Sequence, residues 1–304
     1  MIAARRARTP LAVLLFTQPS DAKMLNKFAC LDGDIRTCRC HCVLLDVGLN
    51  NGDTLRTWHT TAAAALLKDG FTNASAALTR CAADERACFI GIEPNPRFTE
   101  RLRTQERALR ASGVRAKIYT ETALALTDGF ATLYAQNTSK QKVWTPYTRW
   151  TEVESVGSSL EPSKQMTGWN EKGVFFTRKW TIAGEFTGKN TGKRAEGPPP
   201  EAADYSRVRV ETLGAARFLR SLMRASGMRH NAVYVKLDVE GSEVALLKGL
   251  LVTEPAALCR LGALLVEWHT TRLIGPARPP PFSNSALSWM LRDANCGVPA
   301  VAWH

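Results

Sequence analysis

The chain contains no run approaching the ~18 consecutive apolar residues of a membrane-spanning helix, so a helical membrane span is not expected. It shows no internal repeat, which argues against solenoid and propeller architectures. No dense basic stretch interleaved with aromatics appears. A net charge of +12 is therefore read as a basic solvated surface, and nucleic acid is not the expected partner. The eight cysteines include no C-x-x-C pair, the usual spacing of a zinc knuckle. What is present is a globular composition. With 45% hydrophobic residues the chain can bury a core, and 304 residues suit one large α/β domain with insertions or two small ones.

The cysteines crowd the front, at Cys30, Cys38, Cys40 and Cys42, with Cys81 and Cys88 further on and Cys259 and Cys296 far away. Zinc at the front cluster and disulfides in an oxidising lumen both explain them. Met1 to Ser20 carries Arg5, Arg6 and Arg8 ahead of an apolar run from Leu11 to Phe16, as secretory and organelle leaders do. Asn73-Ala-Ser and Asn137-Thr-Ser fit the glycosylation sequon. The expected compartment is therefore the secretory pathway, such as the Golgi lumen, or an organelle, ahead of the cytoplasm. Residues 1–42 are read as a leader and cysteine-rich extension, and 43–304 as the folded domain.

Periodicity then places the elements. Cys42–Val47, Cys88–Ile92 and Ala116–Thr120 read as buried strands, with helices at Thr60–Leu67 and Phe98–Leu109. Phe130–Ala135 alternates like an antiparallel strand after the Asp128-Gly129 turn. Residues 136–205 lose regular patterning and form a variable insertion, with a Gly/Lys/Pro-rich flexible loop near 187–204. Strands resume at Val208–Leu213, Val233–Leu237, Leu261–Val266 and Val298–Trp303. Helices are expected at Ala215–Ala225, at Val244–Leu247 stopping at Gly249, and at Asn284–Arg292.

Chemistry concentrates where strands end. Val233–Leu251 runs strand, acid-rich turn, helix, which puts Asp238 and Glu240 at a strand's carboxyl end, where open α/β sheets bind ligands. The first strand ends in Asp46-x-Gly48-x-Asn50-x-Gly52. Glycines there let backbone approach a ligand, and asparagine tolerates left-handed φ nearly as well. N–H groups of the new helix would face an anionic group. The spacing is not G-x-G-x-x-G, so a dinucleotide is disfavoured. One crossover later Glu93 ends the second strand, placed to accept hydrogen bonds from both hydroxyls of a ribose. This combination is the one used for S-adenosylmethionine. Asp53 opens the first helix; Asn95 follows Glu93, and Thr122 follows the third strand. These two are placed beside the ribose and adenine.

In order and spacing, DVGLNNGDT (Asp46–Thr54), GIEPNP (Gly91–Pro96), DGFATLY (Asp128–Tyr134), VKLDVEGSEVALLKG (Val235–Gly249) and LLVEWH (Leu264–His269) resemble the FkbM-type methyltransferases. The resemblance implies a class I Rossmann-like fold: a mostly parallel seven-stranded sheet with helices on both faces and an inserted antiparallel segment. It also implies S-adenosylmethionine-dependent O-methylation, often of sugar or polyketide hydroxyls, so the expected acceptor is a small molecule or glycan. Leu49 stands where the family commonly has a small residue, the Trp58–Cys88 crossover is long, and the insertion is expanded.

Catalysis needs a group to take the proton of an acceptor hydroxyl. Asp238, Glu240 and His269 are the candidates, with His269 the best matched to neutral pH by its ordinary pKa. Asp238 with Glu240 could instead hold a divalent ion through oxygen ligands. Two rival readings are a nucleic-acid methyltransferase and an inactive binding module on the same fold.

Overall fold

The computed structural model describes residues 40–136, 205–225, 232–269, 284–293 and 296–302, with Ser158, Leu160 and the backbone of four short strands between 141 and 181. The expected leader, the expected flexible loop near 187–204 and the aromatics Trp144, Tyr147 and Trp150 lie outside the described residues.

Walking the chain, β1 (Cys42–Val47) leads through α1 (Trp58–Lys68) and α2 (Thr72–Ala82) into β2 (Ala87–Glu93). A short 3-10 turn and α3 (Thr99–Ala111) lead to β3 (Arg115–Thr120), β4 (Thr122–Ala125) and β5 (Gly129–Gln136). The insertion holds two hairpins, β6 (Gln141–Val143) with β7 (Thr151–Val153) and β8 (Gln165–Trp169) with β9 (Phe175–Thr181). Then come β10 (Tyr205–Gly214), α4 (Ala215–Ala225), β11 (Val233–Leu237), α5 (Glu243–Thr253), α6 (Pro255–Leu258), β12 (Ala263–Val266), α7 (Asn284–Asp293) and β13 (Ala300–Ala302).

Six of these strands form one sheet, ordered β13-β12-β11-β1-β2-β3, and every pairing in it is parallel. The central strands are buried along their whole length, which is why they read as unbroken apolar runs rather than alternating ones. Helices cover both faces. Val43, Leu45, Val235 and Leu264 pack with Phe218 of α4 and Leu246 of α5; on the other side Leu44, Tyr234 and Leu265 pack with Trp58, Leu66 and Leu78 of α1 and α2. Fold class and sheet type are as expected. Among the described residues no helix is long and apolar enough to cross a membrane.

Two details differ from the sequence-based expectation. The main sheet has six strands among the described residues, not seven. β10 instead forms a separate sheet, parallel to β4 and antiparallel to β5. Its burial fits this place: Arg207 and Arg209 are exposed while Val210 and Thr212 on the opposite face are buried, so this part of the strand is covered on one side only, unlike the middle of a parallel sheet. The second difference is that α5 does not stop at Gly249 but runs through it. A Cβ on Gly249 would lie 2.0 Å from Leu126 Cδ2, so the glycine serves the close approach of the β4–β5 turn rather than ending the helix.

Disulfides use Cys40 and Cys42, the two front cysteines among the described residues. Cys40 is bonded to Cys88 and Cys42 to Cys81, tying the start of β1 to β2 and α2; Cys259 is bonded to Cys296. Every described cysteine is paired. These bridges close loops with separations of 48, 39 and 37 residues, and bridges of this kind contribute about 2–4 kcal/mol each. Replacing Cys42 and Cys81 together by serine is expected to lower the urea midpoint accordingly. An unchanged midpoint would show that the bridge does not stabilise the fold.

Candidate active site

After β3 the chain leaves the sheet, and it re-enters on the other side of β1 at β11. The carboxyl ends of β1 and β11 are therefore a topological switch point, the place where open α/β sheets leave a crevice. A cleft of about 620 Å3, partly open to solvent, lies there. Gly48 and Asn50 line it from the end of β1, Glu93 and Asn95 from the end of β2, and Asp238 and Glu240 from the end of β11. Its apolar wall comes from Phe98, Leu124 and Leu133, with Ser158 and Leu160 contributed by the insertion.

Backbone geometry shapes this end of the sheet. Gly48 has φ +86°, and a Cβ there would sit 1.7 Å from the carbonyl oxygen of Asp238, so only glycine lets β1 and β11 turn out side by side. Asn50 adopts φ +55°. Its N–H donates to Glu93 Oε2 at 2.6 Å, while its own buried Oδ1 has no hydrogen-bond partner among the described residues. Leu49 turns the other way, into a core with Leu55, Phe98 and Leu102, and so leaves the cleft to backbone and to Asn50.

Glu93 is 5% exposed. Its Oε1 accepts the Asn95 N–H at 2.8 Å, so one backbone donor holds each carboxylate oxygen and leaves lone pairs toward the cleft. Burial pushes its carboxyl up to about 8, against the pull of those two N–H groups and with the Asp238 and Asp46 charges adding to the rise. Asn95 Nδ2 donates to Ser158 Oγ at 3.0 Å, joining the second motif to the insertion.

Four of the expected cofactor residues, Gly48, Asn50, Glu93 and Asn95, therefore meet in the cleft. The other four do not line it. Gly52 packs against Gln105, and Asp53 is a surface residue paired with Arg101. Thr122 donates its hydroxyl to the Thr120 carbonyl, while its neighbours Ala123 and Leu124 form the wall. Asp46 is wholly buried behind the cleft. It sits beside Lys236 in the β1–β11 register and accepts from its Nζ at 3.1 Å and from Thr54 Oγ1 at 3.3 Å. Lys236 also reaches Asp238 Oδ2 at 3.4 Å. Burial works against the Lys236 ammonium, but the two carboxylates outweigh it and hold its pKa above the usual lysine value.

The β11 and β12 ends hold the ionisable cluster. His269 is 2% exposed; its Nδ1 lies 2.8 Å from Glu243 Oε1, and Glu243 also accepts the Gly241 N–H with both oxygens. Its Nε2 faces Glu267 at 3.4 Å, Glu240 at 3.6 Å and Asp238 at 3.9 Å. Burial alone would lower the imidazole pKa. The hydrogen bonds to Glu243 and Glu267 and the Glu240 charge overcome it and push the value up to about 10. The surrounding carboxylates thus favour the imidazolium and move His269 off the ordinary pKa on which its expected role as base rests. Burial, with the Glu267 and Glu240 charges adding and Lys236 opposing, raises Asp238 to about 7. Glu267 and Glu243 are the members of this cluster that sequence reasoning missed as site residues. Glu243 read as a helix-opening acid favoured by the dipole, and only the fold turns its carboxylate back onto His269.

A family model described as the methyltransferase FkbM domain matches residues 46–275. The chain belongs to the FkbM methyltransferase family. Comparison with curated proteins and with solved structures finds no match. In this methyltransferase the matched segment runs from the buried Asp46 through every strand end that lines the cleft, and it includes the whole insertion.

S-adenosylmethionine is the methyl donor that such a family implies, and the residues present fit it. Asn50 lines the cleft with an Oδ1 that has no hydrogen-bond partner among the described residues, and Glu93 offers two backbone-anchored oxygens able to accept from a diol. Gly48 keeps side-chain atoms out of the space between β1 and β11.

Proposed function

We propose that this methyltransferase moves the methyl group of S-adenosylmethionine to a hydroxyl oxygen on a carbohydrate or related small molecule, within an oxidising compartment. The observation that carries the reading is the buried Glu93 carboxylate, anchored by the Asn50 and Asn95 N–H groups at the edge of a cleft at the sheet's switch point, beside an Asn50 Oδ1 with no hydrogen-bond partner among the described residues. In this reading Glu93 takes the ribose hydroxyls, Asn50 and the Gly48 backbone take the methionine end, and Leu124 and Phe98 flank the adenine. Asp238 and Glu240 lie across the cleft from Glu93, where the methyl group would be presented.

The acceptor's oxygen lone pair forms the bond to the methyl carbon. The carbon–sulfur bond breaks with its electrons staying on sulfur, and S-adenosylhomocysteine leaves. The hydroxyl proton passes to a carboxylate at the end of β11, Asp238 or Glu240, since a neutral alcohol is a poor nucleophile until that proton is leaving. Ser158 and Leu160 bring the insertion to the cleft wall, which supports acceptor selection by that segment. The three disulfides among the described residues support an oxidising compartment.

The test has two stages. Calorimetry with S-adenosylhomocysteine on the full chain is expected to show one-site micromolar binding. Methyl-labelled S-adenosylmethionine is then offered with a panel of sugars and with RNA and DNA, and a methyl ether on a sugar hydroxyl is the expected product. Label transferred only to nucleic acid, or only to nitrogen, would sink the hydroxyl assignment, and no binding by folded protein would sink the cofactor assignment.

A further inference from the structure

The side chains behind the acceptor end of the cleft are arranged around a point rather than in pairs. We propose that Asp238, Glu267 and His269 bind a divalent metal ion, with Glu240 beside it and the ion's open positions facing the cleft. The proposal rests on the methyl-transfer reading only for what the ion would do, not for whether it binds.

The first observation is convergence. One ligand atom from each of Asp238, Glu267 and His269 falls within 4.8 Å of the other two, and the residues come from the ends of two neighbouring strands, β11 and β12. Bonds of about 2.1 Å to a four- or six-coordinate ion place adjacent ligand atoms roughly 3.0–3.5 Å apart. The separation from His269 Nε2 to Glu267, 3.4 Å, falls within that range, and those to Glu240 at 3.6 Å and Asp238 at 3.9 Å lie beyond it. A small inward turn of the carboxylates closes the set.

The second observation is independent of the acids. His269 is almost wholly buried and aimed by its other nitrogen. Glu243 is fully buried, accepts the Gly241 N–H, and takes Nδ1 at 2.8 Å; an acceptor-only carboxylate there requires the proton on Nδ1. Nε2 is thereby directed at the three carboxylates. Carboxylate, histidine and metal in line is the arrangement by which proteins orient a ligating imidazole. A proton on Nε2 can serve only one of the oxygens, and the nearest, at 3.4 Å, is longer than the ~2.8 Å of a good charge-assisted bond. A cation at the centre serves all three.

The donor set is carboxylate oxygen and imidazole nitrogen with no thiolate, which suits a hard or borderline ion such as Mn2+, Mg2+ or Zn2+. Asp238 and Glu240 line the cleft, so an acceptor hydroxyl could bind the ion through oxygen and there become more acidic. Its proton would pass to Glu240.

The experiment is a Mn2+ titration of chelator-stripped full-length protein, followed by electron paramagnetic resonance, on wild type and on Glu267→Gln. S-adenosylhomocysteine calorimetry is run on both. Glu267 is chosen because its side chain is 36% exposed, so the variant should fold. We expect one Mn2+ per chain, displaced by excess Mg2+ or Zn2+, and binding weakened about tenfold or more in the variant, with unchanged thioether affinity. No Mn2+ binding by the wild type, or equal binding by both proteins, overturns the site. Protein that binds S-adenosylhomocysteine but not Mn2+ refutes the metal site alone. Protein that binds Mn2+ but not the thioether refutes the cofactor reading and leaves the metal site standing.

Discussion

Glu93→Ala is expected to weaken S-adenosylhomocysteine binding about 100-fold or more, because two charge-assisted hydrogen bonds at about 1.5–3 kcal/mol each disappear together. The loss extends beyond the ligand. The Asn50 and Asn95 N–H groups each lose the carboxylate oxygen that fixes them, so the first and second motifs lose their mutual register. Glu93→Gln keeps the shape and one acceptor, and an intermediate loss of about tenfold follows from the same range. The pH dependence has a definite sign. The free carboxyl titrates near 8, raised by burial, whereas hydroxyl donors favour the ionised form. Binding below that pH must therefore expel a proton. Affinity should rise as pH increases from 6 toward 8 and level off above it, with no such slope in Glu93→Gln. Calorimetry in buffers of different ionisation enthalpy reads the proton directly. Unchanged affinity in Glu93→Ala would end the ribose assignment.

Lys236→Met is expected to destabilise the fold by about 3–5 kcal/mol, the range for removing one partner of a buried ion pair. Lys236 is 3% exposed and is the cation beside two carboxylates, Asp46 at 0% exposure and Asp238 at the cleft edge. Without it Asp46 keeps, among the described residues, only the long hydroxyl contact from Thr54. The cost lies in the stranded charge rather than in the pair itself, so adding Asp46→Asn to Lys236→Met should restore much of the loss. Urea unfolding of the wild type, the single and the double variant measures both effects. A single-variant loss below about 1 kcal/mol, the scale of an exposed pair, would show that Asp46 is not held as a charged partner.

These two residues also mark the limit of sequence reading. Strand ends were legible because burial on both faces of a parallel sheet leaves an unbroken apolar run, and a carboxylate closing such a run stands out: Glu93 after FIGI, Asp238 after VYVKL. The motif order carried the family, and Gly48, Asn50, Glu93 and Asn95 do meet in the cleft. What a single strand cannot reveal is which face its polar residues occupy. Asp46 has the same local signature as a cleft carboxylate, yet its side chain falls on the α1–α2 face opposite Lys236, a partner 190 residues away.

The chain by itself thus determined the fold class and the strand ends at which a site was expected, which follow from local periodicity and turn chemistry, while the order of its motifs carried the resemblance to the family. Only the tertiary structure decided the rest. It sent β10 to its own sheet, paired Cys40 with Cys88 and Cys42 with Cys81, and ran α5 through Gly249. It also surrounded His269 with four carboxylates from the ends of β11 and β12 and from α5, which raise the pKa of its imidazole against the effect of burial. The physical reason is the same in each case: pairing, burial and charge depend on distances between segments far apart in sequence, and no local pattern encodes them.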